Sequence, residues 1–535
     1  MSEAMIVAPQ PDAVEAGALV LKEGGNAVDA ALACAFVQTV VDPLMCGIAG
    51  FGSLQVLMPD KGIHETIDFH GRVPAAARPD MWRDLILGET EDGFGFVLKD
   101  AVNDLGYQSI TTPGTLKAFQ EAHGHYGSLP WSRILEPAIA LASDGYTLAP
   151  EVFYYWVSRD SPGRVAVRER LAHSASGRAL YCGGDGYPKP VGSVIRNPGM
   201  ALTYRRIADE GAEVFYEGDV AAAIDADMKA HGGLLSAADL GSYRTVRGEP
   251  LWGSYRGLRF STNRPPGGGI MLVEMLNILE NFDLAAMGHN SADYMRVVAE
   301  AMKIATADKD NFVGDPAFVD VPVDRLTDKV YAADHAKAIE RGEKARVERL
   351  GIKESAGTTH ISVADAAGNA VSMTHSLGMM SGVITEGLGF MYNGCMAVFD
   401  PRPGRAGSLA PGKARFSSVC PTILFAGDKP HLILGAPGGT QIAMGVLQVI
   451  LNVVDFGMGV QQAVLAPRFS ATSDAITVTA RIPRYAYRDL EERGYRVVRS
   501  PYSYEIASVH ALKREDDGWT GSADIPYGGG MALGV

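Results

Sequence analysis

Residues 357–374 read Gly-Thr-Thr-His-Ile-Ser-Val-Ala-Asp-Ala-Ala-Gly-Asn-Ala-Val-Ser-Met-Thr. Two runs rich in β-branched and apolar residues, 359–364 and 370–375, flank a short polar segment that contains Gly368 and Asn369. Such runs favour strands, and glycine and asparagine favour the turns that separate them. The stretch therefore predicts two successive strands, the first of which opens at Thr358.

Thr358 follows a glycine at the start of this first strand. If the Gly357–Thr358 bond breaks, the freed α-amine lies next to the hydroxyl of the same residue. An amine with a pKa near ~8 is a base at neutral pH, so one residue supplies both nucleophile and base. The glycine leaves room for the hydroxyl to attack the preceding carbonyl and so break the bond. Two threonines in a strand are equally explained by β propensity, and this motif alone leaves both interpretations open.

The rest of the chain predicts a layered α/β sandwich, because two helical segments and a helix-rich middle surround two strand-rich regions. The predicted helices include 27–41, 113–126, 221–231, 269–281 and 441–456. The further predicted strands are 51–58, 62–69, 390–392, 422–425 and 431–434. The polar segment 337–357 predicts an exposed approach to Thr358 that ends in Ser355-Ala356-Gly357.

Composition and charge exclude several classes of partner. The chain has 535 residues, a formal net charge of −14 and no run rich in lysine and arginine. A surface that binds nucleic acid or an anionic membrane needs clustered cations, so neither partner is expected. The first ten residues lack a basic region followed by an apolar one, and the five cysteines are scattered without CxxC spacing. We therefore expect a reduced, cytoplasmic protein.

Familiar catalytic and cofactor motifs are incomplete. Residues 407–413 have the glycine spacing of a phosphate-binding loop, but Ala414 follows where serine or threonine is required. His64-Glu65 lacks the second histidine of a zinc protease motif, and His123 and His125 stand alone in a polar segment. There is no GxSxG elbow. The sequence predicts neither a metal nor an organic cofactor.

A set of short motifs resembles the gamma-glutamyltransferase family. The motifs stand in family order and are spread over nearly the whole chain, which makes the set specific. They are Glu23-Gly-Gly-Asn-Ala-Val-Asp-Ala-Ala31, Cys46-Gly-Ile-Ala-Gly-Phe-Gly52, Pro113-Gly114, Tyr126-Gly-Ser-Leu-Pro-Trp131, Asn263-Arg-Pro-Pro-Gly-Gly-Gly269, Ser417-Ser-Val-Cys-Pro-Thr422, Gly435-Ala-Pro-Gly-Gly439 and Ala466-Pro-Arg-Phe469.

The resemblance implies a four-layer αββα sandwich of the N-terminal-nucleophile hydrolase type. It also implies a precursor that cuts itself before Thr358 into a large subunit, 1–357, and a small catalytic subunit, 358–535. Thr358 would carry the acyl group, and Ser376 would support it through its hydroxyl. The N–H groups of Gly438 and Gly439 would bind the oxyanion. A homodimer of the processed heterodimer is a further expectation.

The residues that clamp a glutamyl group in this family differ here. His70 aligns with the arginine that binds the α-carboxylate, and Gly378 aligns with an asparagine. Cys395 and Val398 align with the glutamine or glutamate and the aspartate that hold the α-ammonium group. Valine offers an ammonium group no counter-charge, so the resemblance predicts a non-glutamyl or atypical acyl group.

Three features of the substrate site remain to be placed. The family's serine pair is retained as Ser417 and Ser418. Arg72 either reads an anion or forms a structural ion pair, and the sequence leaves both open. The segment between Phe399 and Ser417 is shorter than in members that carry a lid, which implies an open pocket and water as the acceptor.

The sequence thus supports an amidohydrolase or acylase that cleaves a small-molecule amide through an acyl-enzyme on Thr358. One alternative is a true gamma-glutamyltransferase or glutathione hydrolase that reads its substrate with other residues. A second alternative is an unprocessed, inactive binding protein, which the intact Thr358, Gly438 and Gly439 disfavour.

Overall fold

The computed structural model describes residues 2–90, 95–158, 163–347, 357–525 and 530–535. Its strands are, in chain order, β1 (Met5–Ala8), β2 (Phe51–Met58), β3 (Ile63–Asp68), β4 (Ile86–Glu89), β5 (Phe96–Leu98), β6 (Tyr146–Thr147), β7 (Val194–Ile195), β8 (Val246–Gly248), β9 (Leu251–Tyr255), β10 (Leu258–Thr262), β11 (Gly357–Ala364), β12 (Ala370–Gly378), β13 (Thr422–Ala426), β14 (Lys429–Gly435), β15 (Phe469–Ser470), β16 (Ala475–Val478), β17 (Arg496–Arg499), β18 (His510–Glu515), β19 (Gly518–Ala523) and β20 (Met531–Gly534). Its helices are α1 (Pro11–Lys22), α2 (Ala27–Val41), α3 (Thr115–Tyr126), α4 (Trp131–Asp144), α5 (Pro150–Trp156), α6 (Val167–Ala172), α7 (Ala175–Tyr181), α8 (Pro198–Glu210), α9 (Glu213–Tyr216), α10 (Asp219–Ala230), α11 (Ala237–Ser242), α12 (Gly269–Leu279), α13 (Leu284–Met287), α14 (Ala292–Phe312), α15 (Val323–Leu326), α16 (Lys329–Glu340), α17 (Ile442–Val454), α18 (Val460–Leu465) and α19 (Arg484–Glu492).

The strand that begins at Gly357 lies near the centre of a seven-stranded sheet. The strand order is β20-β1-β11-β12-β2-β3-β8, and its neighbours pair antiparallel. β11 is buried along its whole length. Because side chains alternate along a strand, Ile361 and Val363 face the helices while His360 and Ser362 face a second sheet.

The second sheet packs face to face on the first. It has the antiparallel order β19-β18-β14-β13-β10-β9. An apolar cluster between the sheets joins Ala364 and Ala370 of the first to Ile433 and Leu512 of the second. Polar side chains in this layer find backbone partners across the gap, as where Ser372 Oγ donates to the Leu434 carbonyl at 3.0 Å.

Helices cover the outer face of each sheet. α1 and α2 share one core with the first sheet, and every residue of α2 is buried. α12, α14 and α17 share another core with the second sheet, and α12 is likewise buried throughout. The layers therefore run helix, sheet, sheet, helix, which confirms the predicted αββα sandwich.

The structure corrects one predicted strand. Residues 390–392 form no strand, although Phe390 and Tyr392 are buried. Their rings pack edge to face at 5.3 Å, and Phe390 also packs against Phe215. Burial by packing, not pairing in a sheet, explains this aromatic run. Within the segment 337–357, α16 continues to Glu340, and residues 348–356 lie outside the described residues.

Among the described residues, none of the helices combines the length and the apolar character that a bilayer crossing requires.

The apolar layer between the sheets should be essential for stability. Leu512→Ala leaves a cavity at a fully buried site and should lower the free energy of unfolding by about 2–5 kcal/mol. Leu202→Ala on α8, where the side chain is 56% exposed, is the matched control and should change stability little. Thermal and urea unfolding of both variants measures the difference. Equal effects of the two substitutions would contradict the assigned packing.

Candidate active site

Thr358 lies at an irregularity where β11 begins. The register with β12 shifts between Gly357, which faces Gly378, and Thr359, which faces His375. Thr358 therefore falls outside the regular ladder, and 6% of its surface is exposed. Its Oγ1 lies 2.7 Å from the carbonyl oxygen of Gly357. The hydroxyl thus contacts the peptide unit that the sequence predicts to be cleaved.

Ser376 on β12 holds the Thr358 hydroxyl in place. The two side-chain oxygens are 2.9 Å apart. Ser376 Oγ also hydrogen-bonds to the Gly357 carbonyl oxygen and accepts the N–H of Gly378 at 2.7 Å. Three partners around a fully buried serine fix its rotamer. The resemblance predicted a supporting hydroxyl at this residue, and the geometry fits that role.

The turn at Gly438 and Gly439 joins β14 to α17. Gly438 has a φ of 142° and Gly439 a φ of 57°, a region that residues with a Cβ avoid. A Cβ on Gly438 would also lie 2.7 Å from the Cα of Ala507. Neither N–H group has a hydrogen-bond acceptor among the described residues. Both donors are therefore open to a ligand, as an oxyanion hole requires.

Arg468 stabilises the chain segment that packs against this turn. Its Nη2 donates to the Ala507 carbonyl at 2.9 Å, and its Nε donates to the Ile506 carbonyl at 2.9 Å. A buried ion pair with Asp524 completes its contacts. The guanidinium thereby fixes the segment against which Gly438 packs. Arg468 belongs to the motif Ala466-Pro-Arg-Phe469, and its positioning role is not evident from that motif alone.

A second group that the sequence analysis missed lies behind Thr359. Gln38 Nε2 donates to Thr359 Oγ1 at 2.9 Å, and Gln38 Oε1 contacts His375 Nε2 at 2.8 Å. Burial lowers the pKa of His375 to about 3, so the ring is neutral and donates through Nε2. The available signal was a glutamine inside the mostly apolar helix α2.

A small cavity of about 10 Å³ lies beside Thr358, and Gln10, Asp42 and Pro437 contribute to its wall. Asp42 Oδ2 accepts from Gln10 Nε2 at 2.8 Å. Its Oδ1 has no hydrogen-bond partner within the described ranges. Burial raises the pKa of Asp42 to about 7, and the hydrogen bond from Gln10 opposes this rise less strongly.

His70 contacts one other predicted substrate-binding residue, Ser417, and also Asp68. Its Nδ1 lies 2.6 Å from Asp68 Oδ2, and its Nε2 lies 2.9 Å from Ser417 Oγ. The imidazole is fully buried. Both ring nitrogens are engaged, so His70 positions the Ser417 hydroxyl. It does not present the long side chain and the paired guanidinium donors that the aligned arginine would.

Gly378 and Cys395 meet a residue that the sequence analysis did not identify, Arg415. A Cβ on Gly378 would lie 2.8 Å from Arg415 Nη1 and 3.0 Å from Cys395 Sγ. Arg415 Nη1 itself lies 3.6 Å from Cys395 Sγ, and its guanidinium lies 4.8 Å from the centre of the Phe51 ring. Burial raises the pKa of the Cys395 thiol. Burial lowers the pKa of Arg415, whose ordinary value is high enough that the charge remains at neutral pH.

The other predicted substrate-binding residues occupy different surroundings. Ser418 is buried, and its Oγ has no partner in the part of the chain that the structure describes. Val398 lies on the wall of a larger cleft, which Arg415 also lines. Arg72 donates to the Gly412 carbonyl at 3.2 Å and lies 3.8 Å from Asp315, which matches the structural ion pair that the sequence left open.

The cleft next to Val398 has a volume of about 480 Å³ and also reaches Arg415. The described residues that line it include six cationic side chains and three carboxylates. The cationic residues are Lys309, Arg346, Arg402, Arg405, Lys413 and Arg415. Cations therefore outnumber carboxylates on this wall, although the whole chain is acidic.

The described ranges contain no group of three His, Cys, Asp or Glu side chains arranged to hold a metal ion. All five cysteines are buried thiols. Independence from a metal remains a prediction.

Comparison with known proteins defines the class to which this fold belongs. A solved cephalosporin acylase from Bacillus halodurans matches with a TM-score of 0.88 and 30% identity, over 100% of this chain and 96% of that one. The sequence is 39% identical to the acylase ACY 1 proenzyme of Pseudomonas sp. (strain V22), over 94% of this chain and 88% of the relative. It is 34% identical to the glutathione hydrolase proenzyme of Escherichia coli (strain K12), over 87% of this chain and 80% of the relative.

The paired sheets and their helical layers are those of the N-terminal-nucleophile hydrolases. The sequence model of gamma-glutamyltranspeptidase matches residues 13–534. The chain belongs to the gamma-glutamyltranspeptidase family, which confirms the predicted resemblance. Membership and the acylase relatives make it a hydrolase or transferase that acts on amides.

The raised pKa of Asp42 predicts a pH-dependent stability. Between about pH 4 and 7 the folded state keeps a proton that the unfolded state releases, so stability falls as pH rises through this window. The full effect is at most about 4 kcal/mol. Asp42→Asn should flatten the dependence, and Asp60→Asn at an exposed turn is the control. Melting temperatures from pH 4 to 8 test this, and parallel curves for Asp42→Asn and the parent would refute it.

Proposed function

We propose that this chain is a self-processing amide hydrolase whose nucleophile is Thr358. The observation that carries the proposal is the position of Thr358 Oγ1 between Ser376 Oγ and the Gly357 carbonyl oxygen, at 2.9 and 2.7 Å. A threonine in an ordinary strand stays in the regular ladder. Thr358 instead lies outside the ladder, beside the buried Ser376, which contacts the same Gly357 carbonyl oxygen. The irregular register at Gly357 supports cleavage at this point.

Cleavage requires groups that are already in place. The Thr358 hydroxyl adds to the Gly357 carbonyl carbon, its proton passes to the nitrogen, and the C–N bond breaks, which leaves an ester on Thr358 Oγ1 and a neutral α-amine. The Ser376 hydroxyl stabilises the negative charge that develops on the carbonyl oxygen. Water then hydrolyses the ester, which releases the Gly357 carboxylate and restores the hydroxyl. The products are a large subunit, 1–357, and a small subunit, 358–535.

In the processed enzyme the same hydroxyl attacks a substrate amide. The neutral α-amine of Thr358 accepts the hydroxyl proton and returns it to the leaving amine, so no cofactor is needed for acid–base chemistry. The N–H groups of Gly438 and Gly439 bind the tetrahedral oxyanion, and such donors are worth ~3–4 kcal/mol of barrier. Water releases the acyl group from Thr358.

The acyl group differs from an ordinary glutamyl group. Cys395 is a buried thiol and Val398 has an apolar side chain, so neither supplies a carboxylate to an α-ammonium group. His70 is engaged with Asp68 and Ser417. The side chains that would bind the α-carboxylate and α-ammonium groups of a glutamyl substrate are therefore replaced at these positions. The high similarity to acylases over most of the chain supports the same conclusion.

Self-cleavage at Thr358 is the first prediction to test. The purified protein should give two fragments, the smaller beginning Thr358-Thr359-His360, and Thr358→Ala should remain one chain because the attacking hydroxyl is gone. Thr358→Ser keeps a hydroxyl and is the matched control that should still be cut. Intact mass and N-terminal sequencing measure the result. One uncut, inactive chain for both parent and Thr358→Ser would favour an unprocessed binding protein.

Loss of the supporting hydroxyl should slow both reactions. Ser376→Ala removes a hydrogen bond to the nucleophile, which is worth about 1–3 kcal/mol, and should slow cleavage and turnover about 5- to 150-fold. Ser372→Ala on the same strand removes a buried hydroxyl that bonds to Leu434 and should leave both rates near the parent values. Time courses of fragment formation and of amide hydrolysis compare the two. Equal rates in the two variants would exclude this role for Ser376.

A glutathione hydrolase remains the second candidate, because Ser417 and Ser418 are retained and the Escherichia coli relative carries that name. This candidate expects rapid hydrolysis of a gamma-glutamyl anilide. The acylase proposal expects slower hydrolysis of that compound than of an anilide without the α-amine. Cytoplasmic location and a homodimer of the processed pair stay predictions.

A further inference from the structure

We infer that Asp42 carries the proton of the self-cleavage step, through one water molecule that Asp42 and Ser508 hold against Thr358. The inference rests on the proposed function, because it concerns the base that cleavage before Thr358 requires. Its basis is a water-sized cavity beside Thr358, two buried oxygen atoms without partners on its wall, and the contacts that fix Asp42 there.

The uncut chain lacks the base that the processed enzyme uses. Before cleavage the nitrogen of Thr358 belongs to a peptide bond, and such a nitrogen is a hydrogen-bond donor only. Ser376 Oγ lies 2.9 Å from Thr358 Oγ1, but a neutral hydroxyl is a weak base. The α-amine becomes available only after the bond has broken. Another group must therefore accept the hydroxyl proton in the first step.

The cavity beside Thr358 brings a carboxylate and a hydroxyl to one small space. Its volume of about 10 Å³ is close to the smallest space that admits a water molecule. Thr358, Asp42 and Ser508 share its wall. Asp42 Oδ1 and Ser508 Oγ are buried, and neither has a hydrogen-bond partner among the described residues. One water satisfies both oxygens and lies against Thr358.

Asp42 is better suited to take a proton than the other carboxylate on this wall, Asp524. The Oδ2 of Asp524 is in the buried ion pair with Arg468, and its Oδ1 accepts the N–H of Ile525 at 2.8 Å. A paired carboxylate is a weak base, because the pairing stabilises its charged form. Asp42 accepts from Gln10 through Oδ2, which leaves Oδ1 directed to the water.

Hydrogen bonds and close packing fix Asp42 next to the bond that is cut. Gln10 donates to Asp42 Oδ2 at 2.8 Å, and its Oε1 accepts from Thr359 Oγ1 at 3.3 Å. Two residues after Asp42, the carbonyl oxygen of Leu44 lies against Gly357 so closely that a Cβ there would collide with it. The segment that carries Asp42 therefore contacts both sides of the Gly357–Thr358 bond.

The surroundings of Asp42 suit a group that gains and loses a proton near neutral pH. Burial raises the pKa of Asp42 to about 7, and the negative charge of Glu151 on α5 adds to the rise. Cys46 and Tyr146 also face Asp42, and burial raises the pKa of both, so they are uncharged at neutral pH. A proton carrier is most efficient when its pKa lies near the working pH.

The proton makes a complete circuit in this step. The water takes the proton of Thr358 Oγ1 and gives one of its own to Asp42 Oδ1, while Oγ1 bonds to the Gly357 carbonyl carbon. Asp42 then returns a proton through the same water to the Thr358 nitrogen, and the C–N bond breaks. The products are an ester on Oγ1, a neutral α-amine and the original Asp42 carboxylate.

The pH dependence of self-cleavage tests the inference. Full-length chain is labelled during cell-free translation and moved to buffers between about pH 5.5 and 8.5, and fragments that begin at Thr358 are counted over time. The parent rate should rise about tenfold per pH unit below about pH 7 and level off above it, as Asp42 ionises. This measurement needs no variant.

Two substitutions locate the dependence. Asp42→Asn should cut about 10²- to 10⁴-fold more slowly at high pH and lose the rise with pH, so the gap to the parent should narrow towards low pH. Ser508→Ala removes one hydrogen bond to the water and should slow cleavage about 3- to 10-fold with the midpoint unchanged. Asp60→Asn at an exposed turn is the control and should keep the parent profile.

A melting temperature separates proton transfer from folding. At about pH 5 the parent Asp42 is protonated and resembles asparagine, so Asp42→Asn should melt close to the parent there. If no chain is cut at any pH, the proposed function fails and the inference fails with it. If the parent is cut at a rate that pH does not change, or if Asp42→Asn keeps the parent rate or profile, self-processing at Thr358 stands and the role of Asp42 is refuted.

Discussion

The contact between Ser376 and the Gly357 carbonyl oxygen is the constraint on which the site depends. It draws the start of β11 towards β12 where the register is irregular, and this leaves Thr358 outside the ladder. A regular ladder would place the Thr358 side chain in alternation with its neighbours and bury it as ordinary sheet packing. Thr358, the proposed nucleophile, therefore owes its position to an irregularity in strand pairing that a buried hydroxyl stabilises.

The rest of the fold keeps this defect rigid. The first sheet is covered by helices on one side and by the second sheet on the other, so β11 has no freedom to slide. Gln38 reaches from α2 to Thr359 and His375 and ties the regular part of both strands together. Arg468 performs a similar task for the Gly438 turn through two backbone carbonyls. Buried polar groups with fixed partners position the reacting atoms, while apolar layers supply the stability.

The strand pattern around Thr358 and the glycine before it could be predicted from local sequence signals. The roles of Ser376, Gly438 and Gly439 were expected only because a set of motifs resembles a known family. Residues 390–392 were predicted wrongly, because an aromatic run in a strand and one in a packed loop have the same composition. In the sequence, Gln38 is a polar residue in a mostly apolar helix. That pattern does not indicate which residues its side chain contacts.

The acyl pocket shows where prediction from sequence ends. Alignment reports what is lost at a position, such as the asparagine replaced by Gly378, but not which distant side chain fills the space. Arg415 is 37 residues away and meets Gly378 only because the chain folds back between them. Net charge is equally uninformative about one site: the chain has a formal net charge of −14, yet the described lining of the cleft that Arg415 reaches has six cationic side chains and three carboxylates. Substrate charge is decided by the few side chains that the fold collects around the acyl group, because the field of a distant surface carboxylate is screened within about 10 Å.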